Sequence, residues 1–312
     1  MTKSKVKRKG RPVNGILLLD KPQGITSNGA LQQVKRLFGA QKAGHTGSLD
    51  PIATGVLPLC FGEATKFSRF LLEADKRYLA TVKLGVSTTT GDSEGEVVEN
   101  RPVVDRNRKE LEVILASYIG EIEQVPSMFS AIKQNGQPLY KLARQGIEVK
   151  RKARKIRIIS LQLVEFSEDE LVLNIECSKG TYVRSLAQDI GEDLGCGAHV
   201  SALRRLRAGP FDIDASFTLP ELVNRKEMAG EGLDELLLSA RSAVRDWPRS
   251  VLSALTASYL MQGQPVQVPN SPLSGWVSLF HEVEDDANFI GVGEILDDGR
   301  IAPRRLVAMQ KG

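Results

Sequence analysis

Between Gly44 and Lys66 the chain reads GHTGSLDPIATGVLPLCFGEATK, a run that presents Asp50 with only one other acid, Glu63, for company. Gly44 and Gly47 free the backbone for conformations closed to other residues, and Pro51 pushes the residue before it, Asp50, away from helical geometry and towards an extended one. The segment therefore fits a rigid loop that poses one carboxylate. The same residue types also fit a turn in which Ser48, Asp50 and Pro51 cap a following helix.

The rest of the chain bounds what that carboxylate can serve. With 312 residues, 41% of them hydrophobic, the sequence is long enough for one large or two ordinary domains with real cores. Cys60, Cys177 and Cys196 lie far apart with no CxxC spacing, which fits reduced thiols in a cytoplasmic protein. Cys196 and His199 are the only close pair of soft ligands, too few for a zinc site, so no metal is expected. No segment has the length and apolarity of a signal peptide or a membrane span.

Charge is divided unevenly. The last 62 residues hold four basic and seven acidic side chains, whereas the first 250 hold 38 and 31. Basic residues also cluster, as Lys3, Lys5, Lys7, Arg8, Lys9 and Arg11 at the start and as six of the eight residues from Lys150 to Arg157. Such runs bind a phosphate backbone by releasing counterions, without reading sequence. The first run also reads as a flexible tail over residues 1–12; for the second, phosphate contact is expected.

Periodicity places the elements. Gly15 to Leu19 reads as a strand, followed by a helix capped by Thr26 or Ser27, with Leu31, Val34, Leu37 and Phe38 on one face and Gly39 closing it. Alternation marks strands at Tyr78–Leu84 and Leu171–Cys177; Leu111–Tyr118 and the segment carrying Leu186, Ile190 and Leu194 read as helices. Strands and helices mix without regular βα alternation, which favours α+β. A boundary falls near Trp247 to Leu252. Beyond it, short apolar runs separated by turn formers, with a hairpin turn at Asp297, Asp298 and Gly299 before Ile301–Met309, read as a small β-barrel.

GHTGSLDP followed by TGVLPLCFGEATK resembles the signature of the TruB type of pseudouridine synthase, enzymes that modify the T loop of tRNA. VNGILLLDKPQGITSN, KRYLATVKLGVSTTTGDSEGE, VPSMFSAIKQNGQPLYKLARQG and CSKGTYVRSLAQDIGEDLGCGAHVSALRR follow that family's order and span most of the first four-fifths of the chain. The resemblance implies a pseudouridine synthase fold over 13–250, with a mixed, largely antiparallel central sheet flanked by helices. It also implies a thumb-like RNA-binding insertion at about 124–152, mobile without RNA, and a PUA-like domain over 251–312. The implied reaction isomerises the T-loop uridine conventionally numbered 55, with tRNA as partner, no cofactor and a monomeric enzyme. Two other readings stay open: the related catalytic subunit of guide-RNA particles, and an RNA-binding or remodelling protein whose catalysis is vestigial.

By the same resemblance Asp50 is the catalytic carboxylate, acting at C1′ as nucleophile or at C2′ as base. Desolvation would raise its pKa, and the match nominates Arg184 as the cation that keeps it ionised. Tyr182 and Arg184 share a side only in an extended segment, so the helix is expected to begin near Ser185. Uridine must leave its stack to react. Tyr78 resembles the family tyrosine that packs on the flipped base, Tyr182 and Leu203 resemble residues lining its pocket, and His45 the histidine that enters the RNA stack. Lys21 is expected to support the site beside Pro22.

Overall fold

The computed structural model describes residues 10–229, 232–285 and 288–308; most of the basic leading run, Lys3 to Lys9, lies outside them, as does Met309. The catalytic-type sequence blocks build one large sheet. In chain order its first part comprises β1 (Gly15–Lys21), α1 (Ser27–Leu37), β2 (Ala43–His45), β3 (Thr54–Phe61), α2 (Ser68–Glu73), β4 (Lys76–Leu84), the hairpin β5 (Val86–Thr88) and β6 (Val97–Asn100), α3 (Arg108–Ala116) and β7 (Gly120–Gln124). An insertion follows, with β8 (Lys133–Gln134), β9 (Gln137–Pro138) and α4 (Leu139–Ala143). Then come β10 (Arg154–Phe166), β11 (Glu170–Cys177), α5 (Val183–Asp193), β12 (Ala198–Ala208), β13 (Phe211–Asp212), β14 (Phe217–Thr218) and α6 (Leu219–Ala229).

The sheet runs β14-β1-β3-β12-β4-β11-β10-β7, with β2 on β3 and β13 on β12. It is mixed: β1 with β14 and β3 with β12 are parallel, and the other pairs are antiparallel. Burial explains the two kinds of strand sequence. β11 alternates, sending Leu171, Leu173, Ile175 and Cys177 into one core cluster. In β1, by contrast, Ile16 and Leu18 enter one cluster and Leu17 and Leu19 another, so both faces are covered and the strand is continuously apolar. Complete burial of each of these leucines contributes about 2 kcal/mol.

Thr26 caps α1 by accepting the Gly29 N–H at 3.0 Å. After Asp50 the chain enters β3, not a helix, so the reading in which Ser48, Asp50 and Pro51 cap one is wrong. The apolar run Val56 to Phe61 is buried on both faces as a strand would require. Gly55 makes the β3–β12 pairing possible: its φ is +106°, and a Cβ there would lie 2.2 Å from the carbonyl oxygen of Arg205. That crossing carries the Asp50 loop over β12.

The last segment forms a four-stranded sheet from β15 (Arg249–Leu252), β16 (Gly275–His281), β17 (Phe289–Ile295) and β18 (Ile301–Leu306), with α7 (Ala254–Met261) between β15 and β16. The expected turn at Asp297–Gly299 joins β17 to β18, and the strand ends at Leu306. Phe280, Phe289 and Val292 share a core cluster with Phe67 and Leu71 of the large sheet's layer. Glu63 accepts the Ala308 N–H at 2.8 Å while Lys66 donates to Leu306 O at 2.9 Å. The second acid of the Gly44–Lys66 run is thus occupied in holding the end of the chain. Among the described residues no helix is long and apolar enough to cross a membrane.

Candidate active site

The Asp50 loop is clamped from three elements. Ser27, in the first turn of α1, donates its hydroxyl to Leu49 O at 3.0 Å and accepts the Leu49 N–H at 2.7 Å. Gly24 N–H bonds Pro51 O at 2.8 Å, and Asp50 O accepts from Ala53 N–H at 3.0 Å, closing a tight turn. Arg205, fully buried on β12, donates from Nε to Val56 O at 2.8 Å and from Nη2 to Gly47 O at 3.0 Å, so one guanidinium grips the loop on both sides of Asp50. Nothing in the local sequence signals these partners, and Ser27 and Arg205 are absent from the residues expected at the site.

Arg184 meets the carboxylate as expected, with Nε 3.0 Å from Asp50 Oδ2. The expected helix start is wrong, however: α5 begins at Val183, with Tyr182 as an extended N-cap residue. The reason is a cap supplied from another strand. Gln124, at the end of β7 and 2% exposed, accepts the Tyr182 N–H at 2.8 Å and donates to Tyr182 O at 3.1 Å. Arg184 consequently sits in the first helical turn, where side chains lean back towards the N-terminus.

The guanidinium is more fully engaged than an ion pair requires. Nη1 donates to Thr90 O at 2.9 Å and lies 3.3 Å from Asp92 Oδ2, and Nη2 donates to Phe129 O, in the insertion, at 2.9 Å. Asp92 is a buried acid that the sequence reading missed, although it lies inside the quoted TTTGDSEGE block. Its Oδ1 accepts from the Thr90 hydroxyl at 2.5 Å and from the Glu94 N–H at 3.1 Å. Asp50 therefore does have an acidic neighbour, reached through the shared arginine.

Electrostatics follow from this sharing. Burial raises the Asp50 pKa, Arg184 lowers it, Asp92 raises it and Lys21 lowers it, and the net direction is upward. The cation is present, but it does not by itself offset burial and a like charge. Glu94 is also pushed up, by burial first and then by Asp92 and Asp50. The Asp50 side chain keeps 42% of its surface exposed, against 4% for Asp92. Of the two acids on Arg184, Asp50 is the one a ligand can reach.

The remaining expected residues divide into those near the carboxylate and those that hold the frame. Lys21 is wholly buried, and its ammonium donates to Pro22 O at 2.8 Å, Ile25 O at 2.7 Å and Pro51 O at 3.4 Å. Burial, opposed by Asp50, lowers its pKa to about 8. It holds the loop, as expected of a residue that supports the site. Tyr78 on β4 is half-buried against the main core; burial raises its phenol pKa against the lowering effect of the nearby Arg205 guanidinium, so the hydroxyl is protonated at neutral pH. Leu203 on β12 is 9% exposed, in the same cluster as Leu49. His45 ends β2; burial, then Arg205, lowers its pKa, and its buried Nδ1 has no hydrogen-bond partner. Tyr182 is half-buried beside Arg184. On the insertion side, Lys133, Lys150, Arg151, Lys152 and Arg154 line a cleft of about 260 Å³.

Residues 35–183 match the TruB family pseudouridylate synthase (N terminal domain), residues 184–245 the tRNA pseudouridylate synthase B C-terminal domain, and residues 248–307 the C-terminal domain of pseudouridine synthase II TruB. A protein of Ectopseudomonas mendocina (strain ymp) named tRNA pseudouridine synthase B is 55% identical over 306 residues, covering 97% of this chain and 98% of that protein. One of the same name from Coxiella burnetii (strain RSA 493 / Nine Mile phase I) is 55% identical over 298 residues, covering 95% and 96%. Among solved structures, a Cbf5-Nop10-Gar1 complex aligns at a TM-score of 0.71 and 26% identity, covering 90% of this chain and 78% of that one. An H/ACA RNP bound to a substrate RNA containing 2′-deoxyuridine shares the fold, with a TM-score of 0.73 at 21% identity over 99% of this chain and 93% of that one. With near-full-length relatives at this identity and all three of its segments matched in order, the chain belongs to the TruB family of pseudouridine synthases.

Proposed function

We infer that this enzyme is a tRNA pseudouridine synthase that isomerises the T-loop uridine at position 55, without a guide RNA. The observation that carries the reading is the buried Arg184 guanidinium on the partly exposed Asp50 carboxylate, 3.0 Å apart. The reaction breaks the C1′–N1 bond, turns the base and forms C1′–C5; C5 loses a proton and N1 gains one, so no atom is added or lost and no cofactor is needed. Asp50 works at the ribose, as nucleophile at C1′ or base at C2′. Arg184 and Lys21 favour its anionic form against burial. Tyr78, a protonated phenol, offers the flipped base an aromatic face and a polar tip. Tyr182 and Leu203 bound the same pocket. His45, at the end of β2 and five residues before Asp50, stands where the uridine leaves its stack.

Lys133 and the Lys150–Arg154 run supply phosphate contacts on the insertion, which we read as a thumb over the T loop. Residues 13–250 form the catalytic domain. The Val266–Ile301 bridge adds a further segment to the four-stranded C-terminal sheet, which supports a PUA-like domain over 251–312. The reduced-thiol composition supports a cytoplasmic enzyme. Incubating the purified protein with unmodified tRNA, in the absence of any guide RNA, and mapping pseudouridine tests the reading. Product at position 55 is expected, and Asp50→Asn abolishes it while leaving tRNA binding largely intact; no product rejects it.

A further inference from the structure

A cavity of about 560 Å³ lies where α2, the turn after β12 and the C-terminal sheet meet. The chain contains two tryptophans, and both line this cavity together with Phe70. The three rings pack on one another with centroids 4.9, 5.2 and 5.5 Å apart. At the rim, Glu73 pairs with Lys179 and Arg207 with Glu176, and Asp246 lies 3.8 Å from Arg245. Arg69 is exposed at the same rim and, among the described residues, has no ion pair or hydrogen bond of its side chain. An aromatic wall beside an uncommitted guanidinium is what a nucleotide needs: a flat apolar face for the base and a planar donor for the phosphate. The volume lies in the range of sites for small ligands.

The cavity is also close to the reaction. Lys76, buried between them, donates its ammonium to Leu71 O, Leu72 O and Ala74 O at 3.2, 2.7 and 2.5 Å, and Ala74 lines the cavity. Its Cε lies 4.0 Å from where a Cβ of Gly47 would stand, three residues before Asp50. One lysine side chain thus separates the cavity wall from the Asp50 loop. The insertion reaches the site from the other direction, through Phe129 on Arg184. We propose that this cavity holds one unpaired nucleotide of the RNA substrate from outside the reacting stem-loop, its base against Trp247 and Trp276 and its phosphate on Arg69. The proposal rests on the tRNA reading given above and extends it to a second anchoring point.

Because the only two tryptophans are in the cavity, intrinsic tryptophan fluorescence of the full chain reports its occupancy. Titration with unmodified full-length tRNA, with the isolated T stem-loop and with AMP separates the possibilities. Saturable quenching by full-length tRNA and none by the stem-loop is the expected result. Arg69→Ala, at an exposed position, raises KM for full-length tRNA about fivefold with kcat unchanged, and leaves conversion of the stem-loop untouched. Conversion of both RNAs with a flat tryptophan signal overturns the proposal while sparing the tRNA reading. So does equal quenching by the stem-loop, or an Arg69→Ala effect of the same size on both RNAs. Quenching by micromolar AMP assigns the cavity to a free nucleotide and also overturns it. If neither RNA is converted, the tRNA reading fails and the proposal falls with it.

Discussion

Asp92→Asn should move the two observable properties of catalysis in ways that a purely structural role for Asp92 does not predict. Arg184 Nη1 lies 3.3 Å from Asp92 Oδ2, where both side chains are buried, so the attraction is about 5 kcal/mol at an effective dielectric of about 20, before desolvation is subtracted. The guanidinium keeps Thr90 O, Phe129 O and Asp50 as partners, and asparagine keeps the shape. The net loss is therefore that of one charged hydrogen bond, about 2 kcal/mol. If all of it falls on the transition state, the plateau rate drops about thirtyfold. The pH dependence moves the other way in benefit. Asp92 is one of the groups that raise the Asp50 pKa, so removing its charge lets Asp50 ionise at lower pH. With Asp50 as the catalytic carboxylate of the proposed function, the rate rises as it loses its proton, and the midpoint of the pH–rate profile shifts down. Single-turnover pseudouridine formation with enzyme in excess, measured across pH, reads both. A plateau within twofold of wild type, or a midpoint that moves up, refutes the shared-arginine account.

Gln124→Ala removes both bonds to the Tyr182 backbone and strands a partly buried N–H, which costs about 2 kcal/mol and lowers Tm by about 5 °C; calorimetry showing a change under 1 °C would contradict the capping role. Gly55→Ala forces a Cβ to 2.2 Å from Arg205 O at φ +106°, and is expected to cost about 3 kcal/mol or more, against about 1 for Gly24→Ala, where φ is +85° but nothing lies within 4 Å. Equal urea midpoints for the two variants would show that β3 and β12 part easily. In the insertion, amide exchange over 128–152 should slow when tRNA binds; protection identical with and without tRNA removes the reading of a thumb that closes over the T loop.

What the sequence displayed and what it hid separate by the distance over which each constraint acts. β11 shows its alternation because one face meets the core, and Thr26 shows its cap because its partner is three residues on. The start of α5 was misplaced because its cap comes from Gln124, 58 residues away. Ser48 and Pro51 carry local signals that also fit a helix-capping turn, whereas the strand that follows is fixed by β1 and β12. At the site, Asp50 and Arg184 were named through resemblance to whole blocks. Asp92 and Arg205 have no local mark: Arg184 meets Thr90 across 94 residues, and Arg205 meets Val56 across 149. Lys21 is expected to support the site, and its complete burial, with the ammonium on three carbonyls, is a tertiary fact that no local pattern carries.

On the proposed role of Asp50, the arrangement lets one carboxylate change partners without the site losing its charge balance. Besides Asp50, Arg184 is held by Thr90 O and Asp92, which lie outside the insertion, and by Phe129 O within it. Asp50 holds it by the Nε contact, from the more exposed side. A carboxylate that engages the ribose must loosen that contact, and in water the guanidinium would reorganise in response. Here Thr90 O and Asp92 keep it in place, so its positive charge stays directed at the position where negative charge returns when Asp50 is released. Preorganisation of this kind costs nothing at the moment of reaction. It requires that the arginine be over-committed before the substrate binds, and that is the condition in which the second, buried acid leaves it.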